Sequence, residues 1–150
     1  DVELIQGVFD WLGKEETDMT VFFRSLSSVV TETSAPTAMP TACQAAFYGE
    51  PSESHVAAGI DWLQRWWQRT RKEDKAPTAL NQSNPKFVLR NWLSQTAIDA
   101  AHKGDYSVLA RLQTVMQRPF DEQPEHEDLA GKRPEWARHK PGCSALSCSS

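Results

Sequence analysis

Apolar residues recur at helical spacing over most of the chain. Val2, Ile5, Val8, Phe9 and Leu12 follow three- and four-residue steps and trace one face of a helix, with Gly13 as its stop. Thr17 or Asp18 caps a second helix, in which Met19, Phe22, Phe23, Leu26 and Val30 form a wide apolar stripe. Residues 1–30 therefore read as a packed helical pair. Periodicity fails from Thr31 to Ser54, where Pro36, Pro40 and Pro51 stand among Ala, Ser and Thr, and the pattern predicts a long surface connection.

Ser54 opens a third helix to about Arg71, with Val56, Ile60, Leu63 and Trp67 on one side and a basic end that suits a helix C-terminus. Alternating charge from Arg71 to Lys75, followed by Pro77, predicts a solvated linker leading to Asn84-Pro85. Asn as N-cap and Pro at the first helical position predict that a fourth helix starts there and runs to about His102. Leu89, Leu93 and Ala97 share its face, Ile98 and Ala101 lie beside them, and Gly104 supplies a positive-φ stop. Asp105 or Ser107 caps a fifth helix carrying Val108, Leu109, Leu112, Val115 and Met116, ended by Pro119. Beyond it Pro124, Pro134 and Pro141 predict an extended tail anchored by Phe120 and Trp136. No internal repeat and no alternating segment long enough for a strand is visible. The expectation is a mainly α chain of about five helices with an extended C-terminal tail. It is organised as a helical pair (1–30), a variable loop (31–54), a helical segment (55–118) and a tail (119–150).

Composition narrows the function classes. The 150 residues, 39% hydrophobic with mean hydropathy -0.56, allow one modest core. A formal net charge of -4 leaves no electrostatic footprint for nucleic acid or an anionic membrane. Apolar runs fall far short of the roughly 20 residues that span a bilayer, and no secretory leader pattern opens the chain. A helical pattern already running at Asp1 predicts an excerpt of a longer polypeptide. The odd set Cys43, Cys143 and Cys148 predicts a reducing compartment with mainly free thiols.

Motifs for catalysis are missing. The seven glycines contain no G-x-G pair, and there is no G-K-S, G-x-S-x-G, H-E-x-x-H or C-x-x-C, so no catalytic, cofactor-binding or metal residue is assigned. His126, His139, Cys143 and Cys148 offer soft zinc ligands, but their spacing matches no zinc knuckle and a free tail is the plainer reading. Asp121, Glu122, Glu125, Glu127 and Asp128 read as a solvated acidic stretch rather than a cation site or an acid–base pair. Trp62, Trp66, Trp67 and Trp92 read as core and inter-helix anchors rather than a stacking platform. Arg90 and Asn91 either bridge to another domain or lie on a solvent face. Cys148 stands apart: a thiol so near the last residue is reachable, and it can form a reversible disulfide with any cysteine whose Cα comes within about 7 Å. An unimportant terminal thiol fits the residues equally well.

Four segments in series carry a resemblance: Asn84-Pro-Lys-Phe-Val-Leu-Arg-Asn91, Gly104-Asp-Tyr-Ser107, Arg118-Pro-Phe-Asp-Glu-Gln123 and Ser147-Cys-Ser-Ser150. Their order and spacing resemble the C-terminal end of the selenoprotein O family of protein adenylyltransferases, and Asp18-Met-Thr with Phe22-Phe-Arg-Ser-Leu26 looks like the preceding family segment. Trp92 departs from the more usual Tyr, Leu80 to Ser83 differs from the usual lead-in, and Thr31 to Ser54 has no counterpart. The resemblance implies a protein-kinase-like parent that transfers AMP from ATP to protein Ser, Thr or Tyr hydroxyls with Mg or Mn. Its nucleotide and metal residues would lie upstream, so this segment holds no cofactor itself. Implied partners are the upstream kinase-like catalytic domain and, through the parent, protein substrates, with no nucleic acid and no membrane. The implied location is the cytoplasm in a bacterium or the mitochondrion in a eukaryote. Cys148 matches the position held by selenocysteine in animal members and cysteine in many bacterial ones, which implies a redox-responsive tail. The rival reading is a non-enzymatic helical protein-interaction module.

Overall fold

The computed structural model describes residues 1–71 and 77–143. These are mainly helical and contain no strand, as the periodicity predicts; Thr17 and Phe47 form an isolated antiparallel bridge. The chain divides into two compact units, Asp1–Asn84 and Pro85–Ser150. The span 55–118, read from sequence as one helical segment, is thus shared between them.

In the first unit α1 is Val2–Leu12, α2 Met19–Val29, α3 Thr41–Gln44, α4 Glu53–Arg71 and α5 Pro77–Ser83. Gly13 ends α1 in an ordinary right-handed conformation (φ -79°), so the stop there does not use glycine's access to positive φ. Asp18 caps α2, its carboxylate accepting the Val21 N–H at 3.0 Å. Val8, Trp11 and Leu12 of α1 pack with Phe22, Leu26 and Val29 of α2 and with Trp62, Leu63 and Trp67 of α4.

Helices α1 and α4 meet through a reciprocal arrangement. Each places a glycine against the other's tryptophan: Gly7 faces Trp62, and Gly59 lies under Trp11. Each indole N–H then donates to a carbonyl of the opposite helix, Trp11 to His55 at 2.9 Å and Trp62 to Leu4 at 2.8 Å. The large rings are thereby buried without stranding their polar atoms.

The expected surface connection over 31–54 is corrected by the structure. Met39, Cys43, Ala46 and Phe47 are buried in the same core, and Cys43 accepts the Ser25 hydroxyl at 3.2 Å. Burial pushes the Cys43 thiol pKa up, so it packs as a small apolar group. A four-residue helix such as α3 is too short to leave a periodic trace. The expected linker after α4 contains α5, whose first residue is Pro77; residues 72–76 lie outside the described set. Arg24 of α2 reaches the end of α5 and donates to the Asn81 and Asn84 carbonyls, each at 2.8 Å.

In the second unit α6 is Asn91–Ala101 and α7 is Ser107–Met116, followed by 3-10 turns at Pro124–Leu129 and Glu135–Ala137. The predicted helix start at Asn84-Pro85 is displaced. Asn84 closes α5 instead, its N–H and Nδ2 both donating to the Leu80 carbonyl (2.9 and 3.1 Å). Residues 85–90 are non-helical because their groups are committed elsewhere. The N–H groups of Lys86 and Phe87 donate to the Pro119 carbonyl (2.8 and 3.0 Å), and Phe87, 1% exposed, fills a core with Leu93, Ala97, Leu112, Val115 and Leu129. Gly104 sits at φ 82° in the turn between α6 and α7, as expected of that glycine.

The tail is docked partly as predicted: Trp136 meets Trp92 edge to face, but the residues that become buried are others. Phe120 and Trp136 are 41% and 53% exposed, whereas Gln123, Leu129, Ala137 and Cys143 are buried. Gln123 ties the start of the tail to the end of α7: its Nε2 donates to the Val115 carbonyl (3.1 Å) and the Arg118 carbonyl (2.9 Å).

Two measurements test these contacts. A Cβ at Gly59 would stand 2.5 Å from the Trp11 ring and 2.7 Å from the Met39 methyl, whereas one at Gly7 would make an ordinary 3.7 Å contact with Trp62. Gly59→Ala is expected to lose about 1–2 kcal/mol of stability despite its gain of about 1 kcal/mol in helix propensity. Gly7→Ala should be neutral or stabilising, and urea denaturation of both variants checks the contrast. Gln123→Glu replaces a donor with a buried carboxylate facing two carbonyl oxygens and is expected to cost about 3 kcal/mol at neutral pH. Burial holds the new carboxyl's pKa above its unfolded value, so the loss should shrink as pH falls and the protonated group donates again. A loss equal at pH 7 and pH 5 would refute that account.

Candidate functional site

Cys148, the redox candidate, lies outside the described residues, as do its neighbours Ser147, Ser149 and Ser150. The tail leading towards it is described as far as Cys143, which is 2% exposed. Three contacts fasten this stretch along α6. Trp136 meets Trp92 edge to face (6.3 Å, 89°), Lys140 pairs with Asp99, and Gly142 (φ 83°) lies so close to Gln95 that a Cβ would overlap its carboxamide. Residues 92, 95 and 99 share one helix face at three- and four-residue spacing, so one side of α6 takes all three contacts.

Two of the segments that carried the resemblance come together in the second unit. Asn84-Pro-Lys-Phe and Arg118-Pro-Phe-Asp-Glu-Gln meet through the paired N–H groups of Lys86 and Phe87 on Pro119. Lys86 then inserts its side chain, 15% exposed, between Glu122 at 2.5 Å and Glu127. Burial pulls the Lys86 pKa down, but hydrogen bonds and charge from both glutamates outweigh it and hold the pKa above the usual lysine value. Arg111 of α7 makes a second clamp. It donates to both Asp128 oxygens (2.6 and 2.9 Å), to His126 Nδ1 (3.0 Å) and to the Glu125 carbonyl (3.3 Å), and the Arg111 bond lowers the Asp128 pKa.

The carboxylates of 121–128 are solvated, as the sequence reads, each more than half exposed, and they are ion-paired as well. Lys86 and its two glutamates are 36 and 41 residues apart, and pairing at that separation leaves no periodic signal. Asp121 faces Arg118 at 3.7 Å and Glu125 faces His126 at 3.8 Å. Among the described residues no group of three or more His, Cys, Asp and Glu is placed to hold a metal ion. Asp121, Glu122, Glu127 and Asp128 each face a Lys or Arg, while Glu125 faces His126, whose Nδ1 accepts from Arg111.

The tryptophans take the anchoring role expected of them. Trp62 and Trp67 are 3% and 8% exposed, and Trp66 stacks on Trp62 (6.1 Å, 18°). Arg90 serves as the N-cap residue of α6 through its backbone, its carbonyl accepting the Ser94 N–H at 3.0 Å. Of the zinc candidates, His126 is engaged by Arg111, Cys143 is buried, His139 is exposed, and Cys148 is outside the described set.

No family model matches the chain. Curated relatives do, and over its whole length. Proteins named protein nucleotidyltransferase YdiU match all of it at 43% identity in Nitrosospira multiformis, 46% in Tolumonas auensis and 42% in Rhodopirellula baltica. The chain spans 31%, 29% and 31% of those relatives' lengths. With identity of this order across every residue and a series of segments resembling the same proteins, the chain belongs to the YdiU (selenoprotein O) family of protein nucleotidyltransferases.

Proposed function

We propose that this chain is the C-terminal segment of a protein adenylyltransferase, packing against a kinase-like catalytic domain and carrying a redox-responsive tail whose thiol is Cys148. The observation that carries the reading is the match of the entire chain to a minor part of much longer protein nucleotidyltransferases. In the parent reaction a protein Ser, Thr or Tyr hydroxyl oxygen bonds to the α-phosphorus of ATP, the bond to pyrophosphate breaks, and AMP remains on the protein. Bound Mg or Mn supplies charge neutralisation at the phosphates. This chain's own share is structural: it presents surfaces and tethers a thiol.

Two exposed apolar faces support the packing role. On α1, Val2, Ile5 and Phe9 are 81%, 58% and 49% exposed, and on the second unit Leu89, Ile98 and Leu109 are about half exposed. The latter three rim an apolar groove of about 520 Å³ floored by Ala97, Leu112 and Met116. Faces of this kind on a chain that spans a minor part of its relatives fit burial against further polypeptide. No helix among the described residues is long and apolar enough to cross a membrane; the location proposed for the parent is the cytoplasm in a bacterium or the mitochondrion in a eukaryote.

For the tail, AMP transfer by the full parent is compared with that of its Cys148→Ser variant under oxidising and reducing conditions. The parent is expected to respond to redox state and the variant to lose that response; identical responses would remove the thiol from the mechanism. For the segment, calorimetry of the isolated 150-residue chain with ATP and Mg is expected to show no binding, and saturable binding would overturn its assignment as a non-catalytic part.

A further inference from the structure

His55 stands in the first turn of α4, 4% exposed, and neither ring nitrogen has a hydrogen-bond partner among the described residues. Its ring stacks nearly parallel on Trp11 (4.8 Å, 16°) and meets Phe47 edge-on (5.8 Å, 71°). The polar links of this corner run elsewhere. The His55 N–H donates to the Ser52 hydroxyl oxygen (3.2 Å), its carbonyl accepts the Trp11 indole N–H (2.9 Å), and the Ser52 hydroxyl donates to Glu15 (2.5 Å). The imidazole is being used as an aromatic plate, buried and with no acceptor at either ring nitrogen among the described residues.

We propose that His55 is a proton-operated latch: the neutral ring holds the first turn of α4 against Trp11 and Phe47, and uptake of one proton at its free nitrogen releases that end of α4 from α1. This inference is independent of the adenylyltransferase reading.

Three effects oppose the cation in place. Burial removes its hydration, two N–H donors face no acceptor, and the positive end of the α4 dipole lies at this first turn. Lys14 adds repulsion, while Glu15, beside Ser52, and the face of Trp11 favour the charge. The other nearby acids contribute little: Glu53 and Glu16 are exposed, and Asp18 is engaged by the Val21 N–H and by the Tyr48 hydroxyl at 3.1 Å. Burial is the largest influence and holds His55 below the ordinary histidine pKa, against the pull of Glu15. An unfolded histidine titrates near 6.5, so stability from this site is full above about pH 6.5 and is lost as pH falls towards the depressed folded-state value.

The test uses the full chain. Ring resonances of His55, followed by NMR against pH, are expected to stay neutral below pH 6.5 and to charge together with loss of the Trp11 stack. His55→Phe keeps an aromatic plate without a proton site. Its folding constant should match that of the parent chain near pH 8 and fall less steeply below pH 6.5, the difference approaching tenfold per pH unit. Glu15→Gln removes a group that favours the cation and should move release to lower pH. Titration of His55 at an ordinary value in the native chain, or an unaltered pH slope in His55→Phe, would overturn the proposal; the ring titration needs no variant to fold.

Discussion

Buried donors need acceptors, and in both units they find them in backbone carbonyls within and near helices. In the first unit Trp11 and Trp62 serve the opposing helix, and Arg24 serves the end of α5. In the second, Gln123 serves the end of α7, while the Lys86 and Phe87 N–H groups share Pro119. Each bond joins an apolar contact to a directional one, so the packing has one register rather than several. Removing such a donor costs more than the bond itself gains, because a polar atom is then left inside.

This constraint explains why the segments that identify the family contain so little visible chemistry. Asn-Pro-Lys-Phe supplies the close of α5, the Lys86 ion pairs and the Phe87 plug of the second core. Arg-Pro-Phe-Asp-Glu-Gln supplies the acceptor at Pro119, a glutamate for Lys86 and the Gln123 fastener. These residue types at these spacings are needed to hold a strap across a helical hairpin. A reader searching them for acids, bases and ligands finds Lys86 paired with Glu122 and Glu127, and the Gln123 Nε2 spent on backbone carbonyls.

The same economy separates structure from function along the chain. The buried tryptophans, Cys43 and the clamped acidic stretch are accounted for by packing and pairing. What packing leaves over among the described residues includes two exposed apolar faces and the buried imidazole of His55, whose ring nitrogens have no hydrogen-bond partner there.

Periodicity of 3.6 residues was enough to reveal α1, α2, α4 and α7, since each is long enough to show a full apolar face; a cap at Thr17 or Asp18 and the Gly104 turn were readable from local backbone chemistry, and the structure chose Asp18. The family was readable from segments in series. Other features were decided by tertiary structure. Asn84-Pro85 carries the same local signal whether it opens a helix or closes one, and the burial of Phe87 with the Pro119 bonds chose the second. Cys43 and Phe47 looked like loop residues because a four-residue helix has no period, and only the open side of the α1–α2–α4 core drew them in. Lys86 with its glutamates, Gln123 with its carbonyls, and His55 on Trp11 are encounters between residues far apart in sequence or without a periodic signature. Composition and spacing cannot specify them, because they exist only once the backbone has folded and water has been excluded from between them.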